Sequence, residues 1–346
     1  MFLKTLLFPF SVVYGWITGI RNALYDRGFK PAASFSIPVI SVGNLTVGGT
    51  GKTPLVEYLI HLLSPPAKVA TLSRGYGRKT KGFRIAGSHD NASTIGDEPF
   101  QFYRKFGSHV TVAVGEERAI AIPLLLHESD AEVVVLDDAF QHRQVKPSLN
   151  ILLCDYTRPF YDDVLLPAGR LRESKHNASR ADLVVVTKCP ADIGEEEIMT
   201  IEKSIREFAS CPVFFSTLSY GSPVPLRGTS APVSDTIILV TGIANPAPLV
   251  SYIEGHYKLA HHLDFRDHHE YNVSDLERIV AAVREFPSAT VLTTEKDMVK
   301  LDNPVFDRYL SKIPFHYIPI AVQFLKEEGE FEEMINNHVN QEVWKN

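Results

Sequence analysis

A glycine-rich loop near the start of the chain restricts the fold more than any other feature. Residues 46–53 read TVGGTGKT, after an apolar run at 38–43 and before an apolar helical pattern that begins at Lys52. A strand, a glycine-rich turn and a helix N-terminus together turn backbone N–H groups toward phosphate oxygens. This order predicts a nucleotide-binding phosphate loop within an α/β fold.

Each part of this loop has an expected role in nucleotide binding. Lys52 would neutralise the β- and γ-phosphates, and the Thr53 hydroxyl would reach Mg²⁺. Thr46 replaces the first glycine of the usual pattern, but the three remaining glycines keep the loop suited to phosphate. The predicted nucleotide-binding residues of the loop are Thr46, Val47, Gly48, Gly49, Thr50, Gly51, Lys52 and Thr53.

Two other strand ends are expected to complete the nucleotide site. Residues 133–138 read VVVLDD, and an apolar strand that ends in Asp137 and Asp138 would bring a carboxylate near the metal. Thr187 and Lys188 also follow a strand, as in the [NT]-K-x-D motif that binds guanine. A proline occupies the position of the required aspartate in this chain, so we expect ATP as the nucleotide.

Strand-like and helix-like segments alternate along the chain. The strand patterns fall at 38–43, 68–72, 110–114, 133–136, 150–154 and 183–186, and helical patterns fall at 99–106, 116–127 and 195–208. The alternation predicts a P-loop NTPase-like, three-layer α/β fold with a parallel sheet.

A second, smaller α/β domain is expected after a proline-rich linker. Residues 216–233 contain three prolines and two glycines and are interpreted as an extended connection. Strands at 237–240 and 290–292 follow, together with a helix over 274–285 whose expected N-cap is Ser274. The predicted domains are an N-terminal membrane-associated helix (1–30), a P-loop core (31–220) and a smaller C-terminal domain (221–346).

The N-terminal segment is apolar and flanked by basic residues. Residues 5–20 carry no charge and are fewer than the roughly 20 needed to span a bilayer. Their aromatic rings and the neighbouring lysine and arginine residues favour a monotopic helix on a membrane surface. A helix buried against the domain is an alternative, and so is a signal peptide or a true membrane span, although no cleavage site follows.

Composition excludes several classes of protein. The 346 residues carry a net charge of −6 and a sequence pI of about 6.1, which argues against a general nucleic-acid surface. Three cysteines without a CxxC pair suit a reducing compartment and argue against a disulfide framework. No feature indicates an obligate protein partner.

Other segments carry groups suited to an anionic substrate or to proton transfer. Arg74 and Arg78 lie in a stretch, 74–84, that has five basic residues and no acidic one. Asp97 would accept a proton from an attacking hydroxyl, or would only cap a helix. Histidines and aspartates also cluster over 256–269, where the alternatives are a histidine that assists a carboxylate, a zinc site, and exposed loop histidines.

Taken in order, these segments resemble one family, the tetraacyldisaccharide 4′-kinases, which are the lipid A 4′-kinases of Gram-negative bacteria. The matching segments are GNLTVGGTGKTP (43–54), SRGYGR (73–78), GDEP (96–99), LDDAFQHR (136–143), PAGRLRE (167–173), VTK (186–188), FRDHHEY (265–271) and TTEKD (293–297). Ala139 and Arg266 depart slightly from the family pattern. The acidic segment 326–346 matches nothing in it.

The resemblance implies an activity, cofactors and a location. ATP and Mg²⁺ would support phosphorylation of the 4′-hydroxyl of the tetraacyldisaccharide 1-phosphate lipid A precursor, giving lipid IVA. The enzyme would act at the cytoplasmic face of the inner membrane as a peripheral protein. Its lipid substrate and the membrane surface would be its partners, and the nucleotide would bind in a cleft between two domains.

The resemblance also implies roles for individual residues. Asp97 and His268 correspond to the catalytic pair, with Asp97 as the base. Further nucleotide-binding residues are Asp138, Gln141, Thr187 and Lys188, and the metal ligands are Thr53, Asp137, Asp138 and Glu173. Groups that would bind substrate or stabilise charge are Ser73, Arg74, Arg78, His142, Arg172 and Glu173.

Two other functions stay open from the residues alone. A membrane-associated nucleotide switch would bind a partner protein and form no phosphorylated product. Its closest pattern, that of the partitioning ATPases, usually has a lysine where this chain has Val47. A small-molecule kinase whose N-terminus belongs to the core is the second alternative.

Overall fold

The computed structural model of the chain describes residues 2–226, 232–311 and 313–343. Its strands are β1 (Val39–Asn44), β2 (Val69–Ser73), β3 (Arg84–Ile85), β4 (Thr111–Val114), β5 (Val133–Asp137), β6 (Leu149–Asp155), β7 (Leu183–Thr187), β8 (Val213–Tyr220), β9 (Val224–Pro225), β10 (Thr236–Thr241), β11 (Lys258–Asp264), β12 (Thr290–Thr294), β13 (Phe315–Ile318) and β14 (Ile320–Phe324). Its α-helices are α1 (Phe2–Asp26), α2 (Lys52–Leu63), α3 (Ala92–Ile95), α4 (Asp97–Phe106), α5 (Arg118–Glu128), α6 (Glu195–Arg206), α7 (Ala247–His256), α8 (Val273–Glu285), α9 (Glu295–Leu301), α10 (Asp307–Leu310) and α11 (Glu328–Val343).

The larger sheet has the strand order β14-β8-β7-β6-β1-β5-β2-β4-β3. All neighbouring pairs within it are parallel except the two edge pairs, β3 with β4 and β14 with β8. β5 and β6 are consecutive in the chain but flank β1 on opposite sides. In open α/β sheets, ligands bind outside the carboxyl ends of strands at such a switch point.

β1 and α2 form the centre of this unit. All six residues of β1 are buried, as expected for a strand whose sheet is covered on both faces. Gly51 adopts φ +85°, which turns the chain sharply from the loop into α2. Leu55, Leu59 and Ile60 lie on one face of α2 and are fully buried against the sheet.

The smaller sheet has the order β11-β10-β12-β13-β9 and is parallel except at β9. It confirms the expected second α/β unit. The predicted N-cap of α8 is wrong by two residues: Asn272 caps the helix, and the Asp275 side chain completes a capping box. The N-cap has to precede the first helical turn, and Ser274 lies inside that turn.

Two boundary predictions need correction. The expected linker 216–233 contains much of β8 and all of β9, and residues 227–231 lie outside the described ranges. The C-terminal part of the predicted domain 221–346 returns to the larger unit, because β14 pairs with β8 and α11 packs there through Phe331 and Ile335. Apolar residues spaced along an otherwise acidic segment explain this return, since they bury against the first core.

The polarity of α1 is the reverse of that expected for a helix in water. Its polar residues Ser11, Thr18 and Asn22 are buried against the protein, whereas Trp16 is 70% exposed. The other exposed apolar side chains of the helix are Leu6, Phe8, Phe10, Val12, Val13, Ile17 and Ile20. Among the residues that the structure describes, no helix combines the length and apolar character needed to cross a bilayer.

Charged side chains connect the two units where α4 meets α9. Lys105 lies 2.6 Å from Glu57 on α2 and 2.8 Å from Glu295 on α9, and both glutamates are buried. Arg104 pairs with Asp302 nearby. Phe100 adds an apolar contact with the core of the smaller unit. The units are thus joined here largely by ion pairs.

Candidate active site

The glycine-rich loop lies between β1 and α2, at the carboxyl end of the central strand. The backbone N–H of Val47 donates to the carbonyl of Arg170 at 2.9 Å, and the Asn44 side chain donates to the Thr46 carbonyl at 2.7 Å. The Thr187 hydroxyl donates to the Thr50 carbonyl at 2.8 Å. Contacts from three parts of the chain therefore hold the loop before any phosphate binds, which lowers the ordering cost of binding.

Lys52 lies at the first position of α2 and is directed into the site. Its Nζ is 3.3 Å from Asn44 Oδ1 and 3.5 Å from Asp138 Oδ1. Arg172 makes two contacts of 2.9 Å with the same Asp138 carboxylate. Two cations against one carboxylate leave a local excess of positive charge at the loop, as an anionic phosphate requires.

The end of β5 carries the acidic pair. Burial raises the pKa of Asp137 to about 7, against the opposing charge of Lys52. Asp137 Oδ1 is buried without a hydrogen-bond partner, whereas Oδ2 is 3.4 Å from the Ser73 hydroxyl. A buried carboxylate oxygen without a partner, next to a second carboxylate, is a hard oxygen donor pair that fits Mg²⁺. Thr53 follows Lys52 in the first turn of α2.

A small cavity adjoins the loop and reaches both units. Lys188 donates to the Gly49 carbonyl and pairs with Asp155 at 2.6 Å, which closes one side of it. Ala244 and Asn245 of the smaller unit line the other side. The remaining lining residues are Thr46, Val47, Gly48, Thr50, Thr157, Arg158 and Arg170.

Backbone strain is concentrated at the predicted site. Among the described residues, the non-glycine positions with positive φ are Asp138, Lys188, His268 and Glu327, at φ values of 49°, 60°, 56° and 59°. The first three are predicted site residues. A side chain in this left-handed region is held there by its surroundings at a cost of roughly 1–3 kcal/mol, and such strain clusters at functional sites.

Asp97 and His268, which are 171 residues apart, meet where the two units face each other. His268 Nδ1 lies 3.3 Å from Asp97 Oδ2, and Lys296 Nζ lies 3.1 Å from His268 Nε2. Because an ammonium only donates hydrogen bonds, Nε2 is the acceptor and Nδ1 carries the hydrogen that points to Asp97. Within the described ranges no group of histidine, cysteine and acidic side chains is arranged to hold a metal, which removes the zinc alternative there.

The surroundings of Asp97 favour its ionised form. Burial raises the pKa of this carboxyl, but the hydrogen bond with His268 and the charges of Lys300 and Lys296 outweigh burial. As a result, the pKa of Asp97 is lower than its ordinary value. An ionised carboxylate at a cleft between units can accept a proton.

The residues of the segment 73–78 fall into different environments. Arg74 is exposed, and its charge helps lower the pKa of His142 to about 4, where burial has the largest effect. Tyr76 brings its ring to 5.5 Å from that of His268. Arg78 is directed away, with its guanidinium 2.5 Å from Glu116 and 2.6 Å from the Gly82 carbonyl. Arg78 therefore anchors the loop and leaves Arg74 as the free cation.

Glu173 does not lie where the sequence analysis expected it. Its side chain is fully buried and accepts hydrogen bonds from Asn22, Gln141, Asn177 and Arg180 at 2.6–3.0 Å. With its oxygens already shared among four donors, it is unsuited to hold a metal or a substrate. The prediction for Glu173 is corrected accordingly: the residue joins α1 to the nucleotide site.

Gln141 and Arg172 also hold the site together. Gln141 donates to the Asn44 carbonyl at 2.9 Å and to Glu173 at 3.0 Å, and it accepts from Arg172 at 3.3 Å. Both N–H groups of the amide are thus used by protein atoms. Its contact with the nucleotide stays a prediction, and in this structure Gln141 supports the loop through Asn44.

We expect Glu173→Ala to destabilise the protein by roughly 3 kcal/mol, because it leaves the half-buried Arg180 without its counter-charge. Urea unfolding measures this change. Glu173→Gln keeps the shape and part of the hydrogen bonding, so its loss should be smaller. A metal-ligand role would instead raise the Mg²⁺ concentration needed for activity while leaving the unfolding midpoint unchanged.

Three residues of this site were missed in the sequence analysis. Asn44 follows β1 directly and supports both the loop and Lys52. Lys296 and Lys300, on α9, approach the Asp97–His268 pair. Lys296 lies inside the TTEKD segment, which was the available signal, whereas nothing local in the sequence connects Lys300 with Asp97.

Both the sequence and the fold of this chain are similar to those of known proteins. The family model for tetraacyldisaccharide-1-P 4′-kinase, LpxK, matches residues 3–340. Two relatives named tetraacyldisaccharide 4′-kinase, from Phocaeicola vulgatus and Flavobacterium johnsoniae, are 44% and 41% identical; the matches cover 98% and 99% of this chain and 95% and 98% of theirs. A crystal structure of LpxK from Aquifex aeolicus in complex with ATP matches with a TM-score of 0.76 at 29% identity, covering 97% of this chain and 99% of that one.

Proposed function

Because the chain belongs to the tetraacyldisaccharide-1-P 4′-kinase family and is a kinase, we propose that it transfers the γ-phosphate of ATP to the 4′-hydroxyl of a tetraacyldisaccharide 1-phosphate. The product would be lipid IVA, in lipid A biosynthesis. The reaction would take place at the cytoplasmic face of the inner membrane, where this lipid acceptor lies.

The observation that carries the proposal is the contact between Asp97 on the larger unit and His268 on the smaller one, 3.3 Å apart, which places a base with its partner where the two units face each other. Glu98, next to Asp97, is close enough for its charge to raise the pKa of Asp137 at the end of β5. Asp97 thus lies in the same charged region as the carboxylates at the end of β5. A kinase uses such a base to accept the proton of an acceptor hydroxyl, whereas a nucleotide switch orients a water molecule at this position.

In the proposed reaction, Asp97 is the base and His268 orients it. As the bond forms between the sugar oxygen and the γ-phosphorus, the proton of the 4′-hydroxyl passes to Asp97. The bond between the γ-phosphorus and the bridging oxygen breaks, and its electron pair leaves with ADP. The hydrogen bond from His268 Nδ1 fixes the orientation of the carboxylate during this transfer.

Cations of this chain would stabilise the negative charge that moves during transfer. Lys52 would contact the β- and γ-phosphates, and Arg74, the free cation of its segment, would face the transferred group or the acceptor. Thr53, Asp137 and Asp138 would hold Mg²⁺, which when bound neutralises phosphate charge and orients the nucleotide. Lys188 and Thr187 would support the loop around the nucleotide.

The exposed apolar face of α1 supports a place at the membrane surface. The exposed aromatic and aliphatic side chains of this face form the kind of surface that enters the boundary between headgroups and acyl chains. A multi-chain lipid acceptor stays in the bilayer, so the enzyme has to bring its cleft to the headgroups. The buried contacts of Ser11 and Tyr14 with the segment 165–172 hold this helix beside the site.

The triple variant Phe10→Ser, Trp16→Ser and Ile17→Ser should weaken binding to anionic vesicles by about tenfold or more, since large apolar side chains no longer enter the bilayer. Co-sedimentation with vesicles measures it. Point substitutions are preferable to removal of the helix, because Ser11, Tyr14 and Asn22 hold other residues in place. Met199→Ser, an exposed apolar residue on α6, is the matched control, and unchanged binding by the triple variant would contradict the membrane role.

One assay tests the function directly. Purified protein, γ-labelled ATP, Mg²⁺ and the tetraacyldisaccharide 1-phosphate in mixed micelles should give label on the sugar at the 4′ position. Label that appears only as free phosphate would favour a nucleotide switch. Label on a soluble sugar but not on the lipid would favour a small-molecule kinase.

A further inference from the structure

Two lysines on α9 face the catalytic pair. Lys296 and Lys300 are four residues apart and therefore lie on the same side of the helix. Lys300 Nζ is 3.5 Å from Asp97 Oδ2, and Lys296 Nζ is 3.1 Å from His268 Nε2. The smaller unit thus presents a cation to each member of the pair.

Lys300 also contacts a second carboxylate, that of Asp297. Its side chain is only 8% exposed, and its Nζ lies 3.5 Å from Asp297 Oδ1, within the same helix. Asp297 is fully buried, accepts from the Thr294 hydroxyl at 2.7 Å and accepts from the backbone N–H of Gly242 at 2.8 Å. The Lys300 ammonium thus lies between two carboxylates at ion-pair distance, without a hydrogen bond among the described residues, and its charge is balanced there only by these anions.

Gly242 connects this arrangement with the nucleotide. It begins the turn that leads to Ala244 and Asn245, which line the cavity beside the glycine-rich loop. A Cβ at Gly242 would lie 2.7 Å from Asp297 Oδ1, so the turn and α9 are in close contact. Asp297, which contacts Lys300, is therefore connected through Gly242 to the segment that lines the cavity beside the glycine-rich loop.

Resting on the proposed function, we propose that Lys300 is a positioning residue for the transfer reaction. It holds Asp97 ionised and directed toward the acceptor hydroxyl. The other charged or titratable groups near Asp97 are His268, Lys296, Asp297, Glu98 and Asp267. Among these, Lys300 is the best buried cation in direct contact with Asp97, where screening by water is weakest.

Electrostatics gives the expected consequence of its removal. A cation within about 4 Å of a carboxylate lowers the pKa of that carboxyl by about 1–3 units, and burial acts in the opposite direction. Without Lys300, the effect of burial is less opposed, so the pKa of Asp97 rises and the carboxylate binds a proton more tightly. Asp97 would then be protonated over part of the pH range in which the wild-type carboxylate is free to act.

Lys300→Met tests this, because methionine keeps most of the side-chain length without the charge. We expect the acid limb of the pH profile of kcat to move to higher pH by at least about one pH unit. The KM for ATP should be unchanged. Lys300→Arg should restore the wild-type limb. Lys68→Met, an exposed lysine that pairs with Asp130, is the matched control and should leave the profile unchanged.

Other outcomes are distinguishable. A uniform fall in kcat at every pH, without movement of the limb, would overturn the proposal and indicate a purely structural lysine. Carboxyl ¹³C titration of Asp97, assigned with Asp97→Asn, should give a higher pKa in Lys300→Met than in wild type, whatever the acceptor is. If wild-type protein labels no glycolipid, the proposed function fails, while this titration still tests the contact between Lys300 and Asp97.

Discussion

Lys52→Ala should lower the rate of phosphate transfer by about 10³-fold, because the γ-phosphate loses a fixed positive charge at the point where negative charge moves. The variant should fold, since Asp138 keeps its contacts with Arg172, and the loop keeps the hydrogen bonds of the Val47 N–H and the Thr50 carbonyl. Initial rates with saturating glycolipid and labelled ATP measure the effect.

Two comparisons make the Lys52 result specific. Lys326→Ala, at an exposed ion pair with Glu195, should leave the rate unchanged. An unfolding midpoint equal to that of wild type would exclude a folding defect. Near-normal turnover by Lys52→Ala would contradict the assignment of this loop as the nucleotide-binding site, and the proposed reaction would then be wrong as well.

Asp97→Asn should lower kcat by about 10²-fold or more, the range in which a general base contributes. Asparagine has the same shape and still accepts a hydrogen bond from His268, but it cannot take the proton of the acceptor hydroxyl at neutral pH. Affinity for ATP should be retained, because Asp97 contacts His268 and Lys300 rather than the glycine-rich loop. Single-turnover rates and isothermal titration with ATP measure the two quantities separately.

His268→Gln is the companion variant. It should lower kcat less than Asp97→Asn, because the base remains while its orientation is lost. If Asp97→Asn weakened ATP binding as much as it lowered kcat, Asp97 would belong to the nucleotide site instead.

Local sequence predicted the parts of the site that lie on single segments. The glycine-rich loop begins and ends as its pattern requires, and α2 covers Lys52–Leu63. The parallel α/β fold and the resemblance to the tetraacyldisaccharide 4′-kinases are confirmed. These features were accessible because glycines and short apolar strands restrict the backbone within a few residues of themselves.

Long-range contacts were not accessible in the same way. Glu173 carries a charge beside an arginine in a loop, and no local pattern shows that Asn22, on a helix 151 residues away, would occupy it. The return of β14 to the larger sheet likewise depends on its pairing with β8. Lys300 meets Asp97 only because α4 and α9 pack together, and that packing depends on both units.

The ion pairs between α4 and α9 have a consequence for how so large an acceptor reaches the base. When an apolar interface opens, water must cover its hydrocarbon, and the opening is resisted in proportion to the area exposed. A seam built mainly from Lys105, Glu57 and Glu295 instead presents charges that water solvates well. Because Glu57 and Glu295 are buried, salt screens this contact only weakly, and Phe100 adds apolar area to it. An opening that admits the acceptor would therefore have to hydrate both the charged groups and the Phe100 ring.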